Sequence, residues 1–239
     1  MTKVTLCGIT DYLSPENERY GEALLVAAQC FRDAEAMFND PNFDAKRGWK
    51  KEDEASDGEA VYCKHVSQGK YCTVSTVFEG DVNNIFNLVW TAIPELPEWN
   101  KHINYSSTAA TLTPYCDILT YGSNDIFVVS GRDFVSARIF RPLPGGGYLM
   151  VARSFVHEDF PQLKGKVRAH LHMAAARFRP HSSAPGRKTT CDVLMMADLK
   201  GLLPKFLVER MMPKVMVMDT EMNKKHWKEV VEKQRAGTK

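Results

Sequence analysis

From Ile103 to Ala197 the chain is a succession of β-rich runs on short connections. A parallel crossover needs a dozen or more residues and usually a helix, so this stretch dictates a largely antiparallel sheet. The runs are Ile103 to Leu112, Asp117 to Tyr121, Asp133 to Phe140, Tyr148 to Val156, Val167 to Arg179 and Lys188 to Ala197. Gly145-Gly146-Gly147 and Ala184-Pro185-Gly186 supply turn residues between them. Two further runs, Ala60 to Val66 and Tyr71 to Phe78, meet across Ser67-Gln68-Gly69-Lys70, a hairpin signal.

Helical patterns bracket these strands. Ser14-Pro15 is a helix start, and apolar residues recur at helical spacing from Tyr20 through Leu24, Ala27, Phe31 and Ala34 to Phe38. Asp40-Pro41 ends that helix, and Lys46 to Glu59 reads as a charged connector interrupted by Trp49. Asp81 opens a second helix carrying Ile85, Phe86, Val89 and Trp90, closed near Pro94 and Pro97. A third begins after Gly201 at Leu202-Leu203-Pro204. Helix, two strands, helix, many strands, helix is an α+β order. With 239 residues, 44% of them hydrophobic, residues 1–239 are expected to share one core as a single domain.

A formal net charge of +2 gives no nucleic-acid footprint. The amino terminus lacks the apolar run of a secretion signal, and no stretch approaches ~18 uninterrupted apolar residues. Six cysteines without a CxxC pair fit reduced thiols. The expectation is a cytoplasmic, monomeric protein with no metal and no cofactor.

Two segments carry the functional signal. The strand from Asp133 sets Phe134, Ser136, Arg138 and Phe140 on one face against Val135, Ala137 and Ile139 on the other. Arg138 is either a polar handle inside an apolar cavity or an edge-strand arginine at solvent. In the final helix, Phe206, Leu207, Met211, Val215 and Met218 belong to an apolar surface covering nearly all sides of the first half. Flexible, polarizable methionines suit a surface that repacks around a bulky ligand, or they fill an ordinary core. Pro213 should remove one hydrogen bond and kink this helix.

An ordered set of motifs resembles one family: G-E-A-V-Y-C-K-H-V from Gly58, E-W-N from Glu98, G-R-D-F-V-S-A-R from Gly131, K-G-K-V-R-A from Lys164 and D-L-K-G-L-L-P-K from Asp198. Over about residues 20–231 the chain resembles the steroidogenic-acute-regulatory-protein-related lipid transfer (START) domain family, in its sterol- and carotenoid-binding subgroup. That resemblance implies a helix-grip fold, a curved antiparallel sheet around one lipid cavity, with a long carboxy-terminal lid helix and a closing loop at Gly122 to Gly131. It implies a non-catalytic lipid carrier that holds one apolar ligand, with Arg138 in the cavity.

In the sterol binders of this family an acid follows a strand resembling I-S-Y. Here L-T-Y, Leu119 to Tyr121, is followed by Gly122, and Asp117 or Asp125 replaces that acid only in a shifted register. The candidate ligand-binding set is therefore Arg138, Ser136, Phe134, Tyr121, Asp117, Asp125, Phe206, Leu207, Met211, Val215 and Met218, with no catalytic residue. Asp192 is a further polar candidate near the cavity, or else faces solvent. The ligand is a sterol such as cholesterol, or alternatively a carotenoid. A lipid-sensing protein-interaction module is the alternative of another class. His157-Glu158-Asp159 and His170-x-His172 are read as surface or structural histidines. The basic tail at Lys224, Lys225, Lys228, Lys233, Arg235 and Lys239 offers transient contact with a membrane surface.

Overall fold

A computed structural model describes residues 1–125 and 130–237. Strands β1 (Lys3–Leu6) and β2 (Ile9–Tyr12) form a separate hairpin. Its turn, Cys7-Gly8, has positive φ at both residues, 49° and 75°, the requirement of a two-residue hairpin whose twist matches its strands. Pro15–Tyr20 is a 3₁₀ turn, so helix α1 starts later than the periodicity predicts and spans Gly21–Asn39. Asn17 ties this turn to the sheet by donating to the carbonyl of Thr111 at 3.1 Å. The short helix α2 (Pro41–Asp44) follows, capped by Asp40, which accepts from the Asn42 amide.

The predicted charged connector contains a strand, β3 (Lys50–Glu54), on the sheet edge. Its KKEDE sequence hides the strand from a hydrophobicity reading, and charges are what protect an exposed edge from pairing with another chain. Next come β4 (Ala60–Val66), β5 (Gly69–Glu79), α3 (Val82–Thr91) and α4 (Leu96–Trp99). Asp81 caps α3 by accepting from the amides of Asn83 and Asn84. The remaining strands are β6 (Ile103–Thr113), β7 (Cys116–Ser123), β8 (Arg132–Pro142), β9 (Tyr148–Ser154), β10 (Val167–Arg168), β11 (His170–Pro180) and β12 (Lys188–Asp198), before the terminal helix α5 (Lys205–Gly237).

The main sheet has the order β3-β4-β5-β12-β11-β9-β8-β7-β6. All of its neighbours on that path are antiparallel. The run predicted as Val167 to Arg179 divides, because β10 pairs in parallel with the start of β8 while β11 begins at His170. The two faces of the sheet are packed differently. Val135, Ala137, Ile139, Val151, Met173, Ala175 and Leu194 are fully buried in one core with α1. Small residues on α1, Ala23, Ala27, Ala28 and Ala34, are buried there too and let the helix approach the sheet closely.

On the opposite, concave face, Met150, Ala152, Ala174, Ala176, Val193 and Met195 are only half-buried. They form cross-strand rows; one runs Phe140, Met150, Ala176, Val193, Val74. Helices α3 and α5 close this side, with Phe86, Trp227 and Val231 packed against Phe78 and Phe178. The concave face is therefore the less filled side of the sheet.

Candidate functional site

Arg138 lies on the concave face and is 3% exposed. Its register partner in β7 is Asp117, so the acid and the arginine face each other across the strand pair, with the acid five positions before Gly122. Two parallel hydrogen bonds join them: Nε to Oδ1 at 3.0 Å and Nη2 to Oδ2 at 2.6 Å. This fork geometry is the strong form of the arginine–carboxylate pair. Nη2 also donates to the Trp90 carbonyl at 3.0 Å, near the carboxy-terminal end of α3, where the helix dipole favours a cation. The guanidinium carbon sits 3.6 Å from the centroid of the Trp90 ring. Burial pushes the Asp117 carboxyl above the usual carboxylate range, although Arg138 pulls it down.

Gly122 itself has no room for a side chain. It is paired with Tyr105 across β6 and β7. A β-carbon built at Gly122 overlaps the Tyr105 ring and comes within 3.0 Å of the Arg132 carbonyl oxygen. No aspartate or glutamate fits there unless Tyr105 leaves. Gly122→Ala is expected to lower stability by about 1–3 kcal/mol, as overpacking does, measured by urea unfolding. A neutral result would mean that the Tyr105 ring moves freely.

A cavity of about 170 Å³ lies between β5, β11, β12, α3 and α5. The sheet contributes Phe78, Ala176, Val193 and Met195, and α5 contributes Met216, Asp219, Thr220 and Asn223. A second cleft of about 330 Å³ opens between the β4–β5 hairpin and the start of α5, where Gly69, Lys70, Leu203, Val208 and Met212 line it.

The orientation of α5 reverses the expectation for three residues. Phe206 is 71% exposed, Met211 40% and Met218 39%; all three turn to solvent and line neither this cavity nor the second cleft. Leu207 and Val215 are half-buried, and neither lines the cavity. The inward stripe is instead Met212, Met216, Asp219 with Thr220, Asn223, Trp227 and Val231, spaced by three or four residues. Sequence reasoning missed Asp219, Asn223 and Thr76 because it sought the most apolar face. The usable signal was a polar pair, Asp219-Thr220, embedded in a methionine-rich helix. Helical backbone continues through Pro213 from Lys205 to Gly237.

The other candidates divide. Tyr121 and Phe134 are register partners on the concave face, their rings stacked at 4.8 Å. Ser136 is fully buried beside them, and its Oγ has no hydrogen-bond partner among the described residues. Asp125 is exposed and accepts from the Gly131 amide, bracing the ends of the predicted closing loop. Positions 126–129 of that loop lie outside the described residues. Asp192 faces neither the cavity nor solvent. It is 3% exposed and binds Arg177, Arg179 and Ser75.

His157 accepts the Asp159 amide at 3.2 Å and meets the Arg19 carbonyl at 3.2 Å, so both ring nitrogens are engaged in holding a loop. His170 and His172 stand 4.6 Å apart, and burial holds both below the usual imidazole value. No third metal ligand joins them among the described residues. In the basic tail, Lys224 is paired with Asp57 and Glu59, and Glu221 accepts from the Ser56 amide at 3.0 Å. That part of α5 is latched to the β3–β4 turn.

A curved antiparallel sheet closed over a largely apolar cavity by a carboxy-terminal helix defines a helix-grip, lipid-cavity protein. The START domain model matches residues 29–233, and the chain belongs to the START domain family. Steroidogenic acute regulatory-like protein 1 of Caenorhabditis elegans is 43% identical over 225 residues, 94% of this chain and 86% of that protein. The mitochondrial steroidogenic acute regulatory protein of Bos taurus is 25% identical over 175 residues, 72% of this chain and 61% of its own length. The chain thus spans less than two thirds of the bovine protein. Human STARD10 superposes with a TM-score of 0.69 at 19% identity, covering 83% of each chain. Human StAR-related lipid transfer protein 5 gives 0.69 at 17% identity, covering 92% of this chain and 99% of that one.

Proposed function

We propose that the protein is a non-catalytic, cytoplasmic, monomeric carrier that encloses one sterol such as cholesterol and moves it between membranes. The observation that carries this is the half-filled concave face, apolar along its cross-strand rows and closed by α5. Family membership and relatives named for steroidogenic regulation support the choice of a sterol. Pockets for drug-sized ligands run to ~300–1,000 Å³, so a 170 Å³ cavity admits a sterol only when α5 moves off the sheet. Met212 and Met216 at that seam are side chains able to repack as it does.

The test is to purify the protein from a lipid-rich extract, record its visible spectrum and identify the retained lipid by mass spectrometry. A retained sterol supports the proposal. Visible absorption with a carotenoid mass would replace the sterol by a polyene, and phospholipid alone would overturn both.

A carrier loads at a membrane, and the exposed apolar residues indicate where it docks. Leu202 is fully exposed, with Phe206 one turn further on. Leu163 belongs to the same end of the molecule: its amide donates to Asp133, while the adjacent Arg132 donates to the carbonyls of Leu199 and Lys200. Among the described residues no helix is long and apolar enough to cross a membrane, so the contact is peripheral. With ~1.5–3 kcal/mol per large apolar side chain buried, Leu202→Asp with Phe206→Asp should weaken vesicle flotation by about tenfold or more. Charge reversal of Lys225 and Lys228 should change it little. The opposite ranking would return the docking site to the basic tail.

A further inference from the structure

Arg138 does not line the cavity between the sheet and α5. Its Nε and Nη2 bond Asp117 and the Trp90 carbonyl, and its Nη1 reaches the Met150 sulfur at 4.0 Å. Two polar groups that do line the cavity are short of partners. Thr76, on β5, is 1% exposed, yet its Oγ1 has no hydrogen-bond partner among the described residues. Asp219, on α5, lines the same cavity, with the Asn100 side chain close enough to draw its carboxyl's pKa down against the effect of burial. No ion pair reaches Asp219 among the described residues. A buried hydroxyl and a half-buried carboxylate left short of partners each cost free energy, which a ligand alcohol in the cavity restores.

We infer that Asp219 and Thr76 form a hydroxyl-reading subsite. The Asp219 carboxylate accepts the hydrogen bond of a single alcohol group on an otherwise apolar ligand, and the Thr76 hydroxyl donates to that alcohol's oxygen. This rests on the carrier function proposed above and deepens it to a ligand class: free lipid alcohols are taken, whereas the corresponding ketones, which offer only an acceptor to a carboxylate, are refused. Asn223, one turn beyond Asp219, lines the same wall and has its own amide engaged with the Asp219 carbonyl at 2.8 Å. That bond fixes the helix turn carrying the carboxylate.

The experiment compares the full chain with Asp219→Asn and Thr76→Val, using cholesterol and its 3-keto analogue cholest-4-en-3-one presented in phosphatidylcholine vesicles. Protein is re-isolated and the bound steroid counted, and circular dichroism checks that each variant is folded. The wild type should favour the alcohol by about tenfold or more, since a site built to bond one polar group penalises a ligand that leaves it unpaired. Asp219→Asn, whose amide donates to a ketone, should erase or reverse that preference, and Thr76→Val should lower alcohol retention several-fold. If the wild type retains cholesterol but the alcohol-to-ketone ratio is unchanged in Asp219→Asn, the carrier function stands and this subsite falls. A wild type that retains no lipid alcohol overturns both.

Discussion

Asp117→Ala is expected to cost about 3–5 kcal/mol, because it strips the Arg138 guanidinium of its carboxylate in a site that is 3% exposed. For a chain of this size that corresponds to a fall in Tm of roughly 10 °C. The effect should spread to α3, since Arg138 holds the Trp90 carbonyl and lies under the Trp90 ring. Replacing both partners, Asp117→Leu with Arg138→Met, should recover most of the loss, because a buried ion pair roughly breaks even against apolar residues of similar volume. Urea unfolding of the three proteins measures this. A single mutant within 1 kcal/mol of wild type would mean that water reaches the pair, and Arg138 would again be open to a ligand.

Asp219→Asn should act in the opposite direction. Burial raises the Asp219 carboxyl from 3.8 to about 6, with the Asn100 side chain pulling weakly the other way. Between about pH 4 and pH 6 the folded protein therefore holds a proton that the unfolded chain has lost. Stability from this group is complete below the unfolded value and is lost as pH rises through 6. Two units correspond to about 3 kcal/mol. The asparagine variant does not titrate, so it should be more stable than wild type at pH 7.5, and the gap should close as pH falls toward 4. Thermal unfolding of both proteins at pH 4.5 and 7.5 gives the comparison. A gap independent of pH would show that Asp219 is solvated and that α5 is not seated as described.

These two residues also mark what the sequence discloses and what it hides. The strand around Arg138 was legible because its two faces have different neighbours: Val135, Ala137 and Ile139 meet α1, while Phe134, Ser136 and Arg138 lie on the opposite, concave face. The α+β order and the motifs pointing to the START family were legible for the same reason, since local spacing carries them. Register was not. Asp117 pairs with Arg138 through the β7–β8 alignment, which depends on a connection whose sequence sets no fixed turn. The lid was misread at Phe206, Met211 and Met218 because an apolar helix gives no sign of which side faces a cavity when the cavity itself contains polar atoms. The edge strand β3 and the Cys7-Gly8 hairpin were missed because charge and short length conceal a strand whose partner is distant or separate.

Transfer between vesicles tests the carrier function most directly. Donor vesicles containing a fluorescent sterol are mixed with acceptor vesicles and a catalytic amount of the protein, with a second arm in which α5 is tethered to β4 by a disulfide between Cys63 and Met216→Cys, two positions of one apolar cluster, in a Cys72→Ala background that removes the cross-strand thiol beside Cys63. Sterol movement should accelerate with protein concentration, stop when the tether is oxidised and resume on reduction. Binding of the sterol without acceleration in the untethered protein would contradict a carrier and leave a lipid-sensing interaction module in its place.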